Sequence, residues 1–75
     1  MTNVAMDKYC VIRFEDKNDY DGAKVYGYYP TEENARKAAS DAYDEHPGDA
    51  FDVCPLEKDG TPDVGHTIVS FGWED

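Results

Sequence analysis

Basic side chains are scarce in this sequence: seven Lys and Arg stand against seventeen Asp and Glu, for a formal net charge of -10. The two arginines and five lysines are also scattered. No cationic patch offers itself to nucleic acid or to an anionic membrane, and the acidic field repels both. Long apolar runs are missing as well. No segment approaches the ~18 apolar residues of a membrane helix, and the N-terminal MTNVAMDKYC has no basic stretch followed by an apolar one, as a secretory signal would. A cytoplasmic protein is the expectation. Cysteine is confined to Cys10 and Cys54, neither in a CxxC pair and both inside predicted strands. They read more readily as reduced, buried small hydrophobes than as metal ligands, and a disulfide between them requires their strands to be neighbours.

Residues that usually carry chemistry are equally sparse. His46 and His66 are the only histidines, with no second His or Cys at zinc-ligand spacing. Ser40 and Ser70 lack nucleophile-elbow surroundings, neither Cys adjoins a His, and the glycines form no phosphate-binding loop. The acidic run before Gly22 invites a calcium loop, but register decides against it. With Gly22 at the sixth position, the first ligand would be Lys17 and the twelfth Tyr28. No enzyme activity, no cofactor and no metal site is therefore expected.

What the chain does have is one well-specified helix. In Thr31 to Glu45, TEENARKAASDAYDE, the residues Ala35, Ala38, Ala39, Ala42 and Tyr43 fall on one stripe of a 3.6-residue period, with docking expected through Ala38 and Ala42. Pro30 blocks extension backward, Thr31 can cap the free amides, Glu32 and Glu33 suit the positive pole, and Pro47-Gly48 end the helix.

Alternating segments surround it: Lys8 to Glu15, Ala23 to Tyr29, Ala50 to Glu57 and Gly65 to Trp73, with turns at Asp21-Gly22 and Lys58-Asp59-Gly60. Pro55 either confines its strand to an edge or ends its pairing. The 75 residues make a single domain, 1–75, of α+β class. The expected order is ββαββ, a four-stranded antiparallel sheet with one helix packed on one face. The uncovered face would then carry Tyr9, Val11, Tyr26, Tyr28 and Ile68, aromatic enough to be a contact surface.

The acidic residues gather in two runs, EDKNDYD and DAYDEHPGDAFD. The second straddles the helix end, where carboxylates face the negative pole and each costs about 0.3 to 1 kcal/mol. Local stability would not select them there, which marks the place as a candidate for function; solubility or adaptation to salt is the plainer explanation. In one-domain length, acid excess and these two runs, the chain resembles the small acidic phage-encoded inhibitors, including anti-CRISPR and other DNA-mimic proteins. The resemblance implies carboxylates standing in for phosphates in a Lys/Arg-lined groove, such as that of a CRISPR effector or another DNA-handling host protein.

The expected function is thus a noncatalytic inhibitor that blocks nucleic-acid binding by a basic partner. Its contact residues would be Asp16, Asp19, Asp21, Asp41, Asp44, Glu45, Asp49 and Asp52, with Tyr26 and Tyr28. The alternative is a protein-interaction or dimerisation module using the open aromatic face, with acidity serving solubility alone and a homodimer as its simplest assembly.

Overall fold

The computed structural model describes residues 7–16 and 22–73. Strands β1 (Tyr9–Phe14) and β2 (Lys24–Tyr29) lead into helix α1 (Glu32–Glu45); β3 (Ala50–Pro55), a short 3-10 turn (Val64–His66) and β4 (Val69–Phe71) follow. All four strands join one antiparallel sheet in the order β2-β1-β3-β4, so the α+β architecture is the one expected. One departure from ββαββ lies before the last strand. The 3-10 turn occupies the region where extended chain was expected from Gly65, and β4 shortens to Val69–Phe71.

The helix begins as its sequence dictates. Thr31 stands in extended conformation and its Oγ1 accepts the Asn34 amide at 3.1 Å, an N-cap. At the other end the His46 amide donates to the Ala42 carbonyl at 2.8 Å, and the last turn holds no basic residue. The Glu32–Arg36 pair, 2.7 Å apart on the exposed face, adds only a few tenths of a kcal/mol.

Ala35, Ala39 and Ala42 are buried and pack on Val11, Phe51 and Val53, with Tyr9, Tyr29, Ala38, Tyr43, Ile68, Val69 and Phe71 around them. The stripe therefore centres on Ala39, and Ala38 flanks it. Alanine there lets the helix lie close to the sheet. Ala39→Leu is expected to overpack this contact and cost roughly 1 to 3 kcal/mol; an unchanged midpoint in urea denaturation would show that the interface has room.

The two faces of β1 are the reverse of the sequence expectation. Tyr9, Val11 and Ile68 lie under the helix, and the far face holds Cys10, Ile12, Phe14, Ala50 and Cys54, screened in part by Leu56 and Trp73. A bulge splits the two tyrosines as well. Val11 pairs with Gly27 and Ile12 with Val25, which leaves Tyr26 unmatched. Tyr26 meets Phe51 edge-on, centroids 5.6 Å apart, on the helix side, while Tyr28 sits opposite Cys10 on the far side.

β3 is a central strand despite Pro55. The Leu56 amide donates to the Lys8 carbonyl at 2.9 Å, which sets the alternation of hydrogen-bonded pairs. Pro55, opposite Tyr9, falls between two such pairs, so its nitrogen points away from β1 and beyond the Phe51–Val53 stretch that β4 covers. The missing N–H is not missed.

Candidate partner-binding surface

The polar face of α1 carries the expected carboxylates into solvent. Asp41, Asp44 and Glu45 are all exposed, and Asp41 lies one helical turn from both of the others. None of the three forms an ion pair among the described residues. Like charges three and four residues apart repel, and all three face the negative helix pole. This is an anionic patch held on a rigid element.

The rest of the acidic run does not join them. Asp49 is half-buried and receives the Arg13 guanidinium, Nε at 2.8 Å and the terminal nitrogen at 2.6 Å, so its charge is met within the protein. Asp52 is only 6% exposed, on the far face opposite Ile12, and its Oδ1 accepts the Trp73 indole N–H at 2.6 Å. A carboxylate so placed is structural. It helps hold Trp73, whose ring meets Phe14 edge-on at 4.8 Å.

Of the first acidic run, Asp16 is exposed, whereas Asp19 and Asp21 lie outside the described residues. Tyr26 and Tyr28 remain 39% and 48% exposed on edge strand β2, but on opposite sides of the sheet. They cannot act as one aromatic face. With Val25, also exposed, they border the outer edge of β2, which pairs with no other strand among the described residues.

The sequence reading missed the Asp52–Trp73 pair and the far-face cavity beside it. That cavity, about 190 Å³, is lined by Ile12, Phe14, Ala23, Asp52, Cys54 and Val64. A signal was present in Ala50-Phe51-Asp52-Val53-Cys54, where a single charge interrupts an apolar run; a charged residue inside a strand buried on both faces demands a specific partner.

Titration behaviour follows burial and proximity. The Tyr29 hydroxyl is pushed up by burial and then by Tyr26, and the exposed His66 ring is pushed up by its hydrogen bond to Asp63 at 2.8 Å. Among the described residues no cluster of three or more His, Cys, Asp or Glu could hold a metal, and no helix is long and apolar enough to cross a membrane. Compared with protein-family models, curated proteins and solved structures, the chain gives no match.

Proposed function

We propose that the protein is a noncatalytic inhibitor whose helix-borne carboxylates occupy a basic groove of a nucleic-acid-binding protein and exclude the nucleic acid. The observation that carries this reading is the trio Asp41, Asp44 and Glu45: exposed, without cationic partners among the described residues, and set where they oppose the helix dipole. A Lys/Arg-lined groove supplies what that patch lacks. Carboxylates on one rigid helix face present fixed negative points, and their field steers a cationic partner into contact.

Replacing Asp41, Asp44 and Glu45 together by Lys tests it. The isolated domain is expected to gain stability, each change relieving about 0.3 to 1 kcal/mol of unfavourable pole and neighbour interaction. Binding to the partner recovered by affinity capture is expected to fall, mainly through the association rate, with the parent's own binding weakening steeply as salt is raised. A triple variant that binds as tightly as the parent would sink the proposal.

The β2 edge supports a second reading, docking or self-pairing by strand addition, because Val25, Tyr26 and Tyr28 are exposed along it. Such an interface responds little to salt. A concentration-dependent dimer that persists in 1 M salt (~1 M screens charge to about 3 Å) would favour it.

A further inference from the structure

Cys10 and Cys54 face each other across the two central strands, in register and on the same face of the sheet. Both thiols are free and buried, at 0% and 1% exposure. The alternation set by Leu56 and Lys8 puts them in a hydrogen-bonded pair, for which Cα atoms stand about 5.5 Å apart, inside the range of about 4.4 to 6.8 Å that a disulfide spans. Neither strand has to move far to bond them.

Their surroundings differ. Cys54 lines the far-face cavity of about 190 Å³, whereas Cys10 does not. The Cys54 sulfur also lies 3.7 Å from the Thr67 hydroxyl. We infer that Cys54 and Cys10 form a modification site for small hydroperoxides, Cys54 reacting first through the cavity and Cys10 resolving it to a β1–β3 disulfide.

The chemistry balances with hydrogen peroxide as the oxidant. The Cys54 thiol loses its proton, and the thiolate attacks one peroxide oxygen; the O–O bond breaks, and the leaving hydroxide takes up a proton as water. Cys54 is then a sulfenic acid. The Cys10 sulfur attacks the Cys54 sulfur, the S–OH bond breaks, and the hydroxyl leaves with the Cys10 proton as a second water. Two thiols give up two electrons in all, and peroxide accepts both.

Order and rate follow from the environment. Burial, then the neighbouring Cys54, pushes the Cys10 thiol up to about 11, which makes it a poor first nucleophile. Burial raises Cys54 too; the Thr67 hydroxyl works in the opposite direction, while the Asp52 and Asp63 carboxylates add to the rise, so it is access through the cavity that puts Cys54 first. Thiolate is therefore rare at neutral pH, and the reaction is slow there and accelerates through the alkaline range.

Whole protein treated with hydrogen peroxide, then analysed by mass spectrometry after denaturation with a thiol-alkylating reagent, tests this. The parent is expected to lose two hydrogens and both alkylation sites with no disulfide between molecules. Cys10→Ser is expected to stop at a Cys54 sulfenic acid that dimedone labels, and in Cys54→Ser dimedone labelling of Cys10 is expected to be at least tenfold slower than that of Cys54 in Cys10→Ser. Because either serine can weaken the fold, circular dichroism of each variant accompanies the reaction, and Cys10→Ala serves as the trapping variant if the serine unfolds. Overturning results are a parent that keeps both alkylatable thiols, a disulfide found only between molecules, or a folded Cys54→Ser protein in which dimedone labels Cys10 as fast as Cys54 in Cys10→Ser.

Discussion

Phe51→Ala is expected to remove a large share of the domain's stability. Phe51 has 0% exposure and is the largest of the fully buried side chains. Its ring lies between the alanines of α1 and the sheet, takes the edge of Tyr26, and sits opposite Phe71 of β4. Truncation removes transfer energy and leaves a cavity that an alanine-lined helix has no long side chains to fill, for a cost of about 3 to 5 kcal/mol. A chain of 75 residues has a total stability of only about 4 to 11 kcal/mol at the usual 0.05 to 0.15 per residue. At roughly 4 to 8 °C per kcal/mol, the melting temperature should fall by about 12 °C or more. Thermal circular dichroism measures it; a fall of less than about 5 °C would mean that the helix and sheet are held together elsewhere.

Gly72→Ala is expected to be nearly as damaging, although it adds only one methyl group. Gly72 has φ 86°, a left-handed conformation costing an L residue roughly 1 to 2 kcal/mol. Space is also denied: a Cβ there would run into the Asp49 carbonyl oxygen, with the Tyr43 ring at 3.0 Å and the Ala50 Cα at 3.1 Å. Two of those three neighbours are backbone and cannot swing aside. Adding about 1 to 3 kcal/mol for forced displacement gives a total of roughly 2 to 5 kcal/mol. Trp73 is the sole tryptophan and lies next in the chain, so its fluorescence reports local release alongside the global melt. Stability within about 0.5 kcal/mol of the parent would show that this corner yields freely.

Gly72 also shows where reading the sequence stops. Plain alternation puts Trp73 on the same face as Phe71, yet Phe71 lies in the helix-side core and Trp73 with Phe14 on the far one. The positive φ between them re-aims the chain, and nothing in the residue pattern announces it. The helix, by contrast, was legible almost to the residue, because Pro30, Thr31, the alanine stripe and Pro47 act locally. The strands were legible as elements for the same reason. Which face of β1 meets the helix was not, since Val11 and Ile12 are both buried, at 0% and 3%, and only long-range packing separates them.

The candidate site divides along the same line. Asp41, Asp44 and Glu45 could be placed in solvent from helical spacing alone. Asp49 and Asp52 could not be told from them, because what removes them from the surface patch is Arg13, 36 residues away, and Trp73, 21 residues away.

The strand order has a consequence for how the chain comes to be one object. β1 and β2 are joined by a local connection, but β1 meets β3 through contacts between Phe14 and Ala50 at one end and Tyr9 and Pro55 at the other, 36 and 46 residues apart. Until β3 arrives, β1 has a bare edge and α1 has neither Phe51 nor Val53 beneath it. The hairpin and helix thus hold half a core and cannot bury it alone, and β3 and β4 without β1 are a second incomplete half. Closing the long loop comes before its reward, which slows folding and makes it all-or-none. A ribosome must therefore release the stretch through Pro55 before any of the sheet's centre exists, and a cut between β2 and β3 yields two interdependent fragments, neither of them a smaller domain.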